Sequence, residues 1–318
     1  MNGASHHNPS GGIASGRDNG TTPANGGVAS GLGAYLLWGV LTIYWKLLDA
    51  FDAFDLIGWR IVTAVTLLLV LVAAQRRLRF VTAALRDGKL LVRIAAAAVL
   101  LVTNWTLYVW AVVNEHVIET ALGYFIAPLF TSLIGVAVLG EPLRRLQKIA
   151  LGFAFASVAV LTVAYGRPPL IALAIAASWA VYGLLKKQIS LRPVESLTAE
   201  TIVLTPPAVA LVAWSLSRSD AMFDSASSGE VVLILLTGLI TAMPLLLFAH
   251  SALRLPLTVI GPMQYLVPVI NFLLGWLAYE ESMSTARFVG FLLVWVGLVC
   301  SLVDTWRSKP RTIDVAVG

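Results

Sequence analysis

The chain is 318 residues long, 58% apolar and only 12% charged, with a net charge of +5. Its mean hydropathy of +0.84 excludes an ordinary soluble domain. A single cysteine, Cys300, excludes a disulfide framework and a cysteine metal site.

Residues 1–29, rich in Gly, Ser, Asn and Ala, have no apolar core and are read as a disordered tail. His6 and His7 lie in it as solvated residues, and no secretory signal is expected ahead of the first span. Beyond it, apolar runs of about twenty residues recur, each long enough to cross about 30 Å of hydrocarbon as a helix. Barrel strands would be about half that length. Breaks at charge clusters, Pro and Gly give ten candidate spans, near 30–48, 56–74, 90–113, 117–139, 149–165, 169–186, 196–217, 231–253, 256–279 and 286–305.

The first span carries Trp38, and Trp45 near its end reads as an interface anchor, as do Trp214 and Trp306. Lys46 and Arg60 fall within a turn or two of the external ends of spans 1 and 2, joined by a loop holding Asp49, Asp52 and Asp55. Two readings are open: snorkelling with carboxylate pairing, or a positive vestibule for anionic groups. Trp59 adjoins Arg60 in the second span.

Span 3 contains "NWTLYVW", in which Asn104, Tyr108, Ala111 and Glu115 share one helical face at spacings of four, three and four. Trp105 lies deep beside this face, and Trp110 projects away from it. Span 4 repeats the pattern with Thr120, Tyr124, Ala127 and Thr131, and carries Pro128 and, in its first turn, Glu119. Polar groups at membrane depth usually face a bundle interior or water. The two stripes are expected to form opposite walls of a cavity; the alternative is interhelical bonding, worth roughly 0.6 kcal/mol per contact. In the second half, Trp179, Tyr182, Gln264, Tyr265 and Asn271 complete the candidate set. Arg93 and Glu200, about a turn inside the cytoplasmic ends of their helices, are expected to snorkel.

Lys and Arg concentrate in the two tails and in the segments after even-numbered spans, while segments after odd-numbered spans hold only Arg167, Arg218 and Arg287. This asymmetry predicts a multi-pass protein of the cytoplasmic membrane with both termini, 1–29 and 307–318, in the cytoplasm. The positive charge is then a topology signal, with no nucleic-acid partner needed to explain it.

Shifting the second half onto the first by about 140 residues places Pro128 on Pro268, Gly135 on Gly275 and Glu141 on Glu281. One position further, Trp38 and Lys46 fall on Trp179 and Lys187. Two units, 30–166 and 167–306, each have five spans, so the second must enter the membrane from the opposite side. Such inverted repeats commonly build secondary carriers, with Pro-broken helices at equivalent positions marking the site. Pro128 and Pro268 are the expected helix breaks and gates.

"NWTLYVWAVVNEHVIETALGYFIAPL", continued by "VLGEPLRRLQ", resembles the RarD-type permeases of the EamA branch of the drug/metabolite transporters. "WR" at Trp59 and Arg60, "YGLLKK" at Tyr182 to Lys187 and "QYLVP" at Gln264 to Pro268 also match. The resemblance covers residues 30 to 306 and departs at "YEE", 279–281, where the first repeat has "LGE". It implies an all-α integral membrane protein of ten helices, two inverted five-helix repeats around a central cavity, that moves small metabolites or drugs.

All the acidic residues are placed in loops, tails or end turns, so no mid-depth carboxylate is expected to carry a coupling proton. His116 and His250 have no converging partners, so neither a metal nor a cofactor is expected. Intramembrane enzyme motifs are absent from the sequence. The expected function is a secondary transporter working by alternating access, with a small-molecule substrate and the lipid bilayer as its partners. A channel or a non-transporting scaffold is the alternative, and the oligomeric state is open.

Overall fold

A computed structural model describes residues 22–139, 144–218, 222–252, 254 and 263–307. Among these residues it contains helices and connecting turns and no strand. The helices are α1 (Thr22–Lys46), α2 (Ala53–Ala74), α3 (Leu78–Arg86), α4 (Gly88–Val113), α5 (Val117–Leu139) and α6 (Arg145–Tyr165). They continue with α7 (Leu170–Lys187), α8 (Pro193–Ser217), α9 (Met222–Ser225), α10 (Ser228–Ala252), α11 (Leu266–Leu273) and α12 (Thr285–Arg307). A π-helical turn, Leu274–Ala278, extends α11. Among the described residues, eight helices are long and apolar enough to cross a membrane, namely α1, α2, α4, α5, α6, α8, α10 and α12. The apolar helices α7 and α11 with its π turn are shorter.

Helix α1 begins at Thr22, so the expected tail boundary at residue 29 is corrected for residues 22–29; residues 1–21 and 308–318 lie outside the described residues. Gly and Asn depress helix propensity here, but packing overrides it. A Cβ at Gly31 would come within 2.6 Å of Ser251 Oγ, so this small-residue stretch lies directly on α10. Helix α3, between the second and third expected spans, has a sequence signature: Val81 and Ala84, three apart in a basic stretch, bury against Val72, Ile94 and Ala97. Asp87 then caps α4, accepting from the Lys89 and Leu90 N–H groups at 3.0 and 3.1 Å.

Among the described residues, two apolar clusters are the largest. One, around Trp45, Leu56, Val109 and Ile234, joins α1, α2, α4 and α10. The other joins α5, α7, α11 and α12, where Phe272 and Phe291 rings sit 4.6 Å apart. Large apolar side chains also face outward, among them Val163 at 84% and Val92 at 69% exposure. Outward apolar surface on this scale is what a lipid-facing bundle presents.

The Pro expectation needs correction. Pro128 does not break α5, which runs unbroken from Val117 to Leu139. Pro268 falls in the first turn of α11, where the N–H groups have no intrahelical acceptors anyway. Proline also lies inside α8, at Pro206 and Pro207, and inside α10, at Pro244. A helix Pro is therefore not a specific mark of the site in this chain.

Candidate functional site

Polar side chains meet where α1, α4, α5 and α11 converge. Thr42 Oγ1 donates to Asn271 Oδ1 at 2.7 Å, and Thr42 and the Tyr108 hydroxyl lie 2.8 Å apart. Thr42 has one proton to give, so Tyr108 is the donor in the second bond. Asn271 Nδ2 donates to Thr120 Oγ1 at 3.4 Å, and Thr120 donates to the Val117 carbonyl at 2.7 Å. The result is a directed chain, Tyr108 to Thr42 to Asn271 to Thr120, through four helices.

Beside it, Asn104 Nδ2 donates to the Ile175 carbonyl at 3.1 Å and to Ser178 Oγ at 3.0 Å, tying α4 to α7. The Tyr124 hydroxyl donates to Asn104 Oδ1 at 3.2 Å, and the Tyr108 and Tyr124 rings are 5.9 Å apart. All these groups are buried or half-buried, so the centre is closed in this conformation. The stripes expected on spans 3 and 4 do meet here, with two exceptions: Glu115 lies past the end of α4 in an exposed turn, and Thr131 also stays outside. Thr131 is exposed and returns its proton to the Ala127 carbonyl of its own helix.

Arg60 is buried next to this centre. Its Nε donates to Thr241 Oγ1 at 3.0 Å, and its guanidinium lies 4.1 Å from the Trp105 ring centroid and 5.2 Å from that of Trp45. Trp45 is fully buried, which corrects its reading as an interface anchor. Trp214, at 55% exposure, keeps the geometry of one; the Trp306 side chain is outside the described residues. Lys46 separates from Arg60 and pairs with Asp49 at 3.1 Å, near the Tyr279 ring.

The remaining candidates disperse. Trp38 packs with Tyr35 and Phe248, and Trp59 with Phe223 at 5.0 Å. Trp179 is exposed, with Tyr182 at 5.7 Å and Tyr124 at 6.5 Å. Gln264 and Tyr265 are half-buried, and Tyr265 meets Ser301. Sequence reasoning missed Thr42, Ser178 and Thr241. Thr42 alone carried a signal, standing on the same helical face as Trp38 and Trp45.

Glu200 overturns the expectation that it snorkels and that every acidic residue falls in a loop, tail or end turn. It is the eighth residue of α8 and fully buried. It accepts from Lys186 Nζ at 2.6 Å, Ser196 Oγ at 2.8 Å and the Tyr182 hydroxyl at 3.0 Å. Nearby in α8, Glu195 pairs with Arg77. The helices carrying these charges end together, and paired burial replaces solvation.

Glu281, after the π turn, caps α5: its carboxylate accepts the Val117 and Ile118 N–H groups at 2.5 and 2.9 Å. Burial raises its carboxyl above the ordinary carboxylate value, against the lowering pull of those two donors. A raised folded-state value means its contribution is full below the unfolded value, about 4.3, and is lost as pH rises through the folded one. The melting midpoint of purified protein is therefore expected to fall over that rise, and Glu281→Gln to flatten the slope. An unchanged slope in the Gln variant would assign it to another group. Glu141, its expected repeat partner, is outside the described residues.

A separate cleft of about 490 Å³ opens beside α5 and α12, lined by Trp110, His116, Glu119, Arg167, Arg287 and Phe291. No member of the central network lines it, and its walls lack converging buried donors.

Residues 25–163 and 167–303 each match the EamA-like transporter family. The chain belongs to the EamA-like transporter family. Among its relatives, Protein RarD of Streptomyces exfoliatus is 42% identical, over 90% of this chain and 91% of that one. Protein RarD of Escherichia coli is 34% identical, over 90% and 97%, and the uncharacterized transporter YojE of Bacillus subtilis is 35% identical, over 84% and 90%. A solved crystal structure at 17% identity aligns over 89% of this chain and 98% of that one with a TM-score of 0.57, a likeness of fold alone. With its apolar helices, this RarD-type EamA permease is a multi-pass membrane transporter.

Proposed function

We propose that the protein is a secondary carrier in the cytoplasmic membrane, both termini cytoplasmic, that passes a small metabolite or drug-like solute through the α1, α4, α5 and α11 centre by alternating access. The observation that carries this reading is the Tyr108–Thr42–Asn271–Thr120 chain. It joins three helices of the first half to one of the second at a point with no open path.

In this reading α7 and α11 also cross the membrane, giving ten spans in two inverted units. Packing supports the pairing of α1 with α7, α2 with α8, α4 with α10, α5 with α11 and α6 with α12. Under that exchange the α1/α10 contact becomes α7/α4, α1/α11 becomes α7/α5, and α2/α10 becomes α8/α4, all of which are present. The contacts α2/α8, α5/α11 and α6/α12 map onto themselves and are present too. The two adjacent family matches, 25–163 and 167–303, fit the same division. Site roles for Asn104, Tyr108, Tyr124 and Asn271 belong to this proposal.

The test uses Thr42→Cys with Cys300 replaced by Ser, and an impermeant thiol reagent applied from either side. A carrier labels from both sides, in cells and in inverted vesicles, without ionic conductance. Conductance at channel rates would favour a channel, and no labelling from either side a scaffold. Tyr124→Phe, added to this background, removes from the closed centre the donor to Asn104, a bond that does not involve residue 42 and is worth about 0.5–1.5 kcal/mol. It is expected to speed labelling roughly two- to tenfold, since each 1.4 kcal/mol is about a factor of ten.

A further inference from the structure

Among the described residues, Arg60 is the one buried side chain at the centre whose charge has no answer within the protein. It is 5% exposed, and its Nη1 finds no acceptor. The titratable groups around it are the phenols of Tyr124, Tyr108 and Tyr44, with no carboxylate among them. The nearest acid on its own helix, Asp55, is paired instead with Arg218 at 3.3 Å. The other buried charges among the described residues are answered: Glu200 by Lys186, Glu195 by Arg77, Asp304 by Arg144.

A buried cation without a counter-charge is costly, and two indole faces offset only part of that cost. Such a group persists at membrane depth when it has a ligand. Guanidinium presents a planar fork of N–H donors matched to a carboxylate or phosphate edge. Here Thr241 fixes Nε, and Trp45 and Trp105 fix the plane, leaving Nη1 to point at an incoming acceptor.

We propose that Arg60 binds the anionic group of the transported solute, so that the cargo is a small organic acid, with a carboxylate or phosphate on a body that packs against the indoles of Trp45 and Trp105. The inference rests on the carrier reading above, but binding can be measured without transport. Loss of anion binding would leave a carrier of neutral or cationic solutes. Failure of the Thr42→Cys labelling would leave an anion site in a protein that does not alternate.

The test uses full-length protein in phosphatidylcholine nanodiscs, titrated calorimetrically with phenylacetate, phenyl phosphate and the neutral phenylacetamide. Wild type is expected to bind at least one of the two anions at least tenfold more tightly than the amide. Arg60→Met should abolish that preference while melting no lower than wild type without ligand, because it removes an unanswered charge. Arg60→Lys keeps the charge without the fork and should weaken the anion at least threefold with the amide unchanged; it decides the matter if the Met variant fails to fold. No preference in wild type, or an unchanged preference in the Lys variant, overturns the proposal. Phosphatidylglycerol nanodiscs separate the sources: if anionic lipid abolishes the preference, Arg60 serves a lipid headgroup and the cargo assignment fails.

Discussion

Lys186→Met is expected to destabilise the folded protein by about 3–5 kcal/mol, the usual cost of removing one partner from a buried ion pair. The asymmetry of the pair makes the test specific. Glu200 is fully buried, whereas the Lys186 side chain keeps 26% exposure. Without Lys186, Glu200 has only the Ser196 and Tyr182 hydroxyls to hold its charge. Glu200→Gln is expected to cost much less, because the neutral amide can accept from one of those hydroxyls and donate to the other, and Lys186 can turn to water. The double change Lys186→Met/Glu200→Leu should recover most of the loss, since an apolar pair can replace a buried ionic one. Melting midpoints in detergent measure all three. Equal loss for Lys186→Met and Glu200→Gln would mean that burial of the carboxylate does not govern this cluster.

Gly238→Leu is expected to abolish the folded, monodisperse protein, and Gly238→Ala to cost at least the 1–3 kcal/mol or so typical of overpacking. A Cβ at Gly238 would overlap the Thr63 carbonyl carbon and lie 2.6 Å from Ala64 N, both backbone atoms of α2. Backbone cannot swing aside as a flexible side chain does, so α2 and α10 must separate. Separation would also break Thr63 to Thr237 and Arg60 to Thr241, both at 3.0 Å, and release the guanidinium from its setting. Gly152→Ala is the control, because a Cβ there meets nothing within 4 Å. Size-exclusion profiles of the variants decide it. A normal profile for Gly238→Leu would refute the close α2/α10 contact.

Some of the candidate site was legible in the sequence because polar groups are rare in apolar spans. Asn104, Tyr108, Thr120 and Tyr124 stood out by spacing, and they do meet. Thr131 obeyed the same spacing and lies outside, because a helical hydroxyl can be satisfied by its own i−4 carbonyl at no tertiary cost. Trp45 misled for a related reason: position near a helix end says interface, while its ring is buried against Arg60. Glu200 misled because a carboxylate near a helix end can reach water or a lysine, and only the neighbouring helix decides which.

Composition and period in the sequence by themselves determined an all-helical membrane protein, because only apolar segments about twenty residues long satisfy their own backbone bonds in hydrocarbon. The sequence also determined the transporter family, through motifs spread along nearly the whole chain. Only the tertiary structure decided which polar groups answer one another, since Tyr108, Thr42, Asn271 and Thr120 lie up to 229 residues apart along the hydrogen-bonded pairs. Thr42 and Asn271 are adjacent only because α1 packs on α11. The same packing left Arg60 without a counter-charge, a property of its surroundings that no local pattern around "WR" could encode.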